Sequence, residues 1–345
     1  MSPQPLVSVI IDSYNYGHYI EEAIDSVLSQ DFPSEKMELL VVDDGSTDDT
    51  AARVRKYGDR LKYFYKPNGG QASAFNMGCA NAQGEIIALL DADDYFLPGK
   101  LKRVVSEFAQ HPDAGMVYHR LQEYHTRTGK RVEGYFTPVS GNVAASRDAL
   151  LSYVLYPTSA LAFRRLSIAP LLPIPERLII QADSHLTGLI IFLAPVVAVP
   201  ESLSVYRMHD NNLFHSASSE LDETRTRRRI ATREILVDDL KAWLVASGKD
   251  LSDPDLHALF MQWRLTQEGD QFQLQTPGRL RLFRHLWQYN TYFRPRLTPR
   301  HLAVNYVQAF ASLLLGYDHL DRFDVWLQRA RRLVRPSRRE AASRP

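Results

Sequence analysis

The segment Glu85-Ile86-Ile87-Ala88-Leu89-Leu90 follows Gly84 and runs straight into Asp91-Ala92-Asp93-Asp94. A short apolar run bounded by glycine predicts a buried strand. Three carboxylates at its end repel one another and lose solvation, and a cation or a ligand dipole beside them relieves both costs. A second acidic pair, Asp43-Asp44, ends another apolar run, Met37 to Val42. Two such ends in one sheet make a polar crevice, and open α/β sheets bind ligands in crevices at strand carboxyl ends.

The rest of the first 120 residues alternates in the same way. Leu6–Ile11 predicts a strand, Tyr19–Gln30 a helix with Ile20, Ile24, Val27 and Leu28 on one face, and Glu38–Val42 a strand. A helix over Asp48–Tyr57 with Thr47 or Asp48 as cap, a strand over Leu61–Tyr65 and a helix of small residues over Ala72–Ala82 follow. After the acidic strand come a helix over Pro98–Gln110 and a strand over Met116–His119. Such alternation implies a mostly parallel sheet with helices on both faces. Val132–Phe136, Thr158–Phe163, Val196–Val199 and Leu203–Tyr206 read as extended additions, antiparallel to the sheet, around a helix at Ile179–Phe192. Beyond Asn212 the pattern turns helical: Ser219–Ala246 with Leu221, Ile230, Val237, Leu240 and Leu244 on one stripe, then Asp253–Glu268, Arg279–Thr291, His301–Gly316 and Asp321–Leu333. The expected boundaries give a domain over 1–215, a helical accessory region over 216–333 and a disordered basic tail over 334–345.

Composition excludes several classes. The 345 residues are 45% hydrophobic and 23% charged with a net charge of +1, so nothing global points to nucleic acid. Cys79 is the sole cysteine, which excludes an intrachain disulfide and argues against a cysteine-based zinc site. Leu6–Ile11 is too short for a signal peptide, and Tyr306–Tyr317 is too short to span a bilayer. The expected location is cytoplasmic. The end of the chain carries Arg329, Arg331, Arg332, Arg335, Arg338, Arg339 and Arg344 against Glu340. That end could attach the chain to the inner face of an anionic membrane; a solvated tail is the simpler reading.

Several short motifs carry chemistry. Asp91-Ala92-Asp93 offers the hard oxygen ligands that Mg²⁺ and Mn²⁺ take together with substrate phosphates. In Asp43-Asp44-Gly45-Ser46-Thr47 a carboxylate could accept from a nucleobase N–H, beside ordinary turn and cap chemistry. Ser13-Tyr14-Asn15 offers a hydroxyl for a phosphate and a ring for a base, or a packed turn. Asn68-Gly69-Gly70-Gln71 places backbone amides at a helix start, where anions bind, or is a plain connection. Asp183 at a helix start could be a general base or a capping residue. Arg207 could meet a phosphate, and His209 could ligate a metal or be a satisfied side chain.

In this order the segments resemble family 2 glycosyltransferases, inverting metal-dependent enzymes of the GT-A fold. The matching stretches are Val7–Ile11 with Tyr14-Asn15, Ala23–Gln30, Val42–Asp48, Gly70–Gly78 and, most specifically, Gly84–Asp94 with Leu97-Pro98. The resemblance implies a nucleotide-diphosphate sugar, with a UDP-sugar as the expected donor, and a glycan or lipid-linked acceptor in cell-surface polysaccharide or glycolipid assembly. It implies that Asp44 binds the nucleobase near Ser13 and Tyr14, with Gly70, Ala92 and Arg207 also on the donor. Asp91 would contact the ribose. Asp93 and His209 would hold a divalent cation, Mn²⁺ or Mg²⁺, and Asp183 would be the catalytic base.

The chain departs from the family pattern at four places. Asp12-Ser13 stands where Pro-Thr is common, Ala182 where a glutamate precedes the base, and Phe75 where an arginine is frequent. The Gln-x-x-Arg-Trp motif of processive synthases is missing, which implies transfer of one sugar. Rival readings lack their own signatures. No Gly-x-Gly-x-x-Gly follows a strand, as a dinucleotide dehydrogenase needs. No Gly-rich, Arg-containing loop follows the first strand, as in nucleotidyltransferases. A phosphorylated receiver module leaves the Gly84–Pro98 pattern unexplained. The non-enzyme alternative is a nucleotide-sugar-binding scaffold of the same fold without turnover.

Overall fold

The computed structural model describes residues 5–210, 212 and 223–317. Its first part alternates as expected: β1 (Val7–Ser13), α1 (Gly17–Leu28), β2 (Met37–Asp43), α2 (Thr50–Arg55), β3 (Lys62–Tyr65), α3 (Gln71–Asn81), β4 (Ile86–Asp91), the short β5 (Tyr95–Phe96) and α4 (Lys100–Gln110). Then come β6 (Met116–His125), β7 (Lys130–Glu133), α5 (Arg147–Ser152), β8 (Leu161–Arg164), α6 (Arg165–Ile168), α7 (Ala182–Ile190) and β9 (Val196–Met208).

The nine strands form one sheet in the order β3-β2-β1-β4-β8-β6-β9-β5, with β7 on β6. Strands β3, β2, β1 and β4 are parallel. The chain winds outward from β1 to β3 and then returns to the other side of β1 as β4. That reversal makes the β1/β4 border the topological switch point, where such sheets open a crevice. Asp12 and Asp91 are register partners across this border.

Packing explains the local choices. Val7, Val9 and Ile11 of β1 and Ala88 and Leu90 of β4 face Ile20, Ile24 and Val27 of α1 and Leu101, Val104 and Phe108 of α4. Each fully buried side chain of this size contributes about 1.5–3 kcal/mol. On the opposite face α3 approaches so closely that a Cβ on Gly78 would lie 2.6 Å from Ile10. The small residues of α3 are what allow this distance.

The second wall differs in detail from the sequence expectation. Val196–Val199 and Leu203–Tyr206 belong to one strand, β9, with a register irregularity opposite His119–Leu121. It runs parallel to β6 rather than antiparallel; β8, β7 and β5 are the antiparallel members. The strand expected over Val132–Phe136 is Lys130–Glu133, and Thr158–Ala160 is a single 3₁₀ turn leading into β8.

Helices α8 (Glu223–Ala246), α9 (Pro254–Leu274), α10 (Arg279–Tyr292) and α11 (Pro299–Leu315) follow. The chain divides into two compact units, Met1–Asp255 and Leu256–Pro345. The division thus falls later than the change of sequence pattern near residue 215. The reason lies in α8, whose Asp239 pairs with Arg177 and whose Leu236, Leu240 and Leu244 are buried. Leu236 takes the place on the stripe expected for Val237. In the second unit Phe272 and Leu282 form a small core with Leu286, Ala311 and Tyr317. The helix expected at Asp321–Leu333, Leu221 and the basic tail lie outside the described residues. No described helix is long and apolar enough to cross a membrane.

Candidate active site

At the end of β4 the chain makes a tight turn. Ala92 N–H donates to the Asp12 carbonyl (3.1 Å) and Asp94 N–H to that of Asp91 (3.0 Å). The turn sends its acids in different directions. Asp94 points inward, where Ser159 Oγ donates to it at 2.6 Å and the Arg207 N–H at 2.8 Å. Behind it lies the fully buried Lys100, whose Nζ donates to the Ser159 carbonyl (2.8 Å) and to Ser204 Oγ (3.1 Å). Asp93 faces His209 Nε2 at 3.0 Å and the Tyr16 hydroxyl. Arg207 holds the turn from below: Nε donates to the Asp93 carbonyl (2.6 Å) and Nη2 to Glu22 (2.7 Å). Asn212 fixes the far side, accepting from the His209 N–H and donating to the Arg207 carbonyl. Ala92 is buried and contributes only backbone.

The electrostatics follow from this crowding. Burial, then repulsion from Asp12, Asp94 and Asp93, raises the Asp91 carboxyl well above the usual range. Burial and then Asp93 do the same to Asp94. Asp12 rises to about 7, chiefly through burial, against a hydrogen bond with Asp91. One Asp12 oxygen is enclosed without a partner, although the side chain keeps an open edge. Oxygens of Asp91, Asp93 and Asp94 lie within 4.8 Å of one another. Those of Asp94 already accept from Ser159 and Arg207, so Asp91 and Asp93 are the carboxylates best placed for a cation, with His209 beside Asp93. Carboxylate oxygens suit Mn²⁺ or Mg²⁺, and a cation would relieve the repulsion.

Asp183 sits in the first turn of α7, after Gln181 at φ 59°. The helix dipole favours a negative charge there. Burial nevertheless raises its carboxyl to about 6, opposed by hydrogen bonds from Thr158 and Ser184. Thr158 Oγ1 donates to Asp183 Oδ2 at 3.0 Å. Gln71, at the start of α3, accepts the Ala182 N–H (3.0 Å) and reaches Asp91 Oδ1 (3.3 Å) and Thr158 Oγ1 (3.4 Å). Asp183 and the acidic turn therefore share one crevice.

The end of β2 forms the other end of the crevice. Asp43 is fixed by the Ser46 N–H (2.8 Å) and the Tyr63 hydroxyl (2.6 Å). Asp44 accepts from Lys66 Nζ (2.7 Å) and from the amides of Gly69 (3.0 Å) and Gly70 (2.7 Å). The glycine amides thus do face an anion, the protein's own Asp44. Gly70 has φ 84°, and a Cβ there would lie 2.6 Å from Ile179 Cα, so only glycine fits. Ser13 Oγ is enclosed without a partner, and Tyr14 is 48% exposed on the rim.

The structure therefore brings Asp12, Asp91, Asp93, Ala92, Asp183, Arg207 and His209 together, with Ser13, Tyr14, Asp44 and Gly70 toward the β2 end. Sequence reasoning missed Tyr16, Gln71, Lys100, Thr158 and Ser159. The Tyr14-Asn15-Tyr16 run gave a signal for a second tyrosine, whereas nothing in the local pattern marks Thr158-Ser159.

Comparison with known proteins identifies the family and the fold. Residues 8–166 match the model of "Glycosyl transferase family 2". An uncharacterised glycosyltransferase of Nostoc sp. is 35% identical over 224 residues, 63% of this chain and 69% of the relative. The structure of S. aureus TarS with UDP-GlcNAc superposes with a TM-score of 0.58 at 20% identity, covering 92% of this chain and 90% of that one. A mannosyltransferase of Pyrobaculum calidifontis in complex with GDP-Man and Mn²⁺ gives 0.50 at 20%, covering 93% and 83%.

Proposed function

The chain belongs to glycosyl transferase family 2 and has the GT-A fold, and from that premise we propose that it transfers one sugar from a nucleoside-diphosphate donor to an acceptor hydroxyl with inversion. The observation that carries this reading is the placement of Asp183 in the same crevice as the Asp91–Asp94 turn. The turn binds the donor's charged end, and Asp183 takes the proton of the attacking hydroxyl. A single displacement needs one base, because attack and departure occur on opposite faces of the sugar; the two-carboxylate scheme of retaining glycosidases is not needed.

Asp93 and His209 would hold a divalent cation, which would supply charge neutralisation for a diphosphate leaving group. Asp91 accepts from the ribose hydroxyls. Asp44, held by Lys66, Gly69 and Gly70, is the carboxylate that accepts from a base N–H. Tyr14 lies on the rim near that base, and Ser13 and Gly70 shape the pocket wall. Arg207 holds the Asp93 turn through Nε and Glu22 through Nη2, and its positive charge lies beside the donor's phosphates.

A UDP-sugar is the expected donor, because TarS binds UDP-GlcNAc; GDP-Man in the mannosyltransferase makes a GDP-sugar the alternative. The acceptor is a glycan or lipid-linked sugar in surface polysaccharide or glycolipid assembly. The helices that follow the transferase domain serve as an accessory region; the basic tail is a solvated end, with attachment to an anionic membrane surface as the alternative. A panel of nucleotide sugars incubated with Mn²⁺, read as release of nucleoside diphosphate, tests the reading. Turnover of one donor, lost in Asp93→Ala, is expected. Binding without turnover of any donor would leave the scaffold reading instead.

A further inference from the structure

No role was assigned above to the side chains of Gln71 and Thr158, yet both touch Asp183 or its helix. Thr158 is 2% exposed, and its one hydroxyl hydrogen goes to Asp183 Oδ2 at 3.0 Å. The Gln71 amide has one self-consistent orientation. The Ala182 N–H can only donate, so Oε1 must face it, at 3.0 Å. Nε2 then faces two acceptors, Asp91 Oδ1 at 3.3 Å and Thr158 Oγ1 at 3.4 Å. The next residue repeats the arrangement on the other side. Ser159 Oγ accepts the Asp91 N–H (3.1 Å) and donates to Asp94 Oδ2 (2.6 Å). Adjacent buried hydroxyls in one 3₁₀ turn thus serve the proton-accepting carboxylate and the acidic turn respectively.

We propose that Gln71 and Thr158 are positioning residues for transfer, fixing the Asp183 carboxylate relative to Asp91 so that the proton acceptor and the donor site keep one geometry. This rests on Asp183 being the base. The hydroxyl also favours the charged form of Asp183, because a hydrogen bond to a carboxylate stabilises its ionised state. The charge of Asp183 acts on Asp12 of β1 and Asp91 of β4, and Ser184 on its own helix supplies the other donor to it. Thr158 is therefore a principal neutral donor opposing the burial that raises the Asp183 carboxyl.

The test compares Thr158→Val, Thr158→Ser, Gln71→Leu, the Thr158→Val/Gln71→Leu double variant and Asp183→Asn in the full chain, using the donor found by the nucleotide-sugar panel. Thr158→Val should lower kcat about tenfold while the Kd for the nucleoside diphosphate, from calorimetry, changes less than twofold. The acidic limb of its kcat–pH profile should move to higher pH. Thr158→Ser should restore most of the rate. The double variant should lose less than the product of the single losses, because both residues act through one carboxylate. An unchanged kcat and pH profile in Thr158→Val, with Asp183→Asn inactive, would overturn the positioning role and leave the base assignment standing. Full turnover in Asp183→Asn would overturn the base assignment and this proposal with it. A Thr158→Ser variant as impaired as Thr158→Val would show that the methyl packing matters rather than the hydroxyl, and would overturn it too.

Discussion

Asp183→Asn should do two opposite things, and the pair of effects is diagnostic. Asp183 is 8% exposed, and burial raises its carboxyl from 3.8 to about 6. Turnover needs the ionised base, so kcat should fall about tenfold per pH unit below 6 in the wild type, and Asn should cost a hundredfold or more at every pH. Stability runs the other way. A folded-state pKa raised above the unfolded value means that the folded chain prefers the protonated acid. That preference helps stability fully below pH 3.8, is lost as pH rises through 6, and leaves a cost above it. The cost is 2.303RT times the difference of about two units, or about 3 kcal/mol at pH 8. Asn accepts the same Thr158 hydrogen bond without a charge. Thermal unfolding should therefore rise in Asp183→Asn by roughly 6–12 °C at pH 8 if the first unit unfolds cooperatively. The gain should vanish near pH 4. Equal destabilisation at both pH values would refute the claim that a buried, ionised carboxylate stands there.

Chelation should abolish transfer, and Mn²⁺ or Mg²⁺ should restore it; each ion should also raise the melting temperature by relieving repulsion in the Asp91–Asp94 turn. Full activity in EDTA would refute the cation assignment. Gly70→Ala places a Cβ against the Ile179 backbone at φ 84°, and should cost about 1–3 kcal/mol in urea unfolding while weakening nucleoside-diphosphate binding. If the tail attaches to a membrane, deleting residues 329–345 should reduce co-sedimentation with anionic vesicles, since each arginine near such a surface contributes about 1 kcal/mol. Equal pelleting of both forms, or pelleting of neither, would remove the tail from membrane attachment.

The first half of the fold was legible because its signals are local. Each strand from β1 to β4 is a short apolar run, and each helix between them carries apolar or small residues at one spacing, so alternation alone implied the parallel sheet. The second wall was harder to read because its strands are set by pairing rather than by pattern. Arg120 and Ser202 interrupt the apolar runs of β6 and β9, yet both lie within continuous strands that pair across the irregularity. The division into compact units falls later than the change of sequence pattern for a related reason. The amphipathic α8 looked like the start of a new region, but its partners are Arg177 and the neighbouring helix α7, which sequence spacing cannot reveal.

The site divides along the same line. Asp91, Asp93 and Asp44 were legible because carboxylates at the ends of apolar strands are expensive unless something neutralises them. Asp183 needed the family resemblance, and the groups that hold it needed coordinates. Thr158 lies 25 residues from Asp183, and Gln71 lies 111 residues from the Ala182 amide it accepts. Ordinary hydroxyls and amides at such separations leave no periodic trace. Lys100 was hidden differently: in Leu97-Pro98-Gly99-Lys100 it reads as a surface residue at a helix start, and lysine is almost never fully buried unless paired. Its burial makes sense only beside Asp94, where it interacts with a carboxylate of the acidic turn while Ser159 and Ser204 satisfy its hydrogens. The acids that mark the site in the sequence are thus held in place by neutral or hidden partners that the sequence alone does not announce.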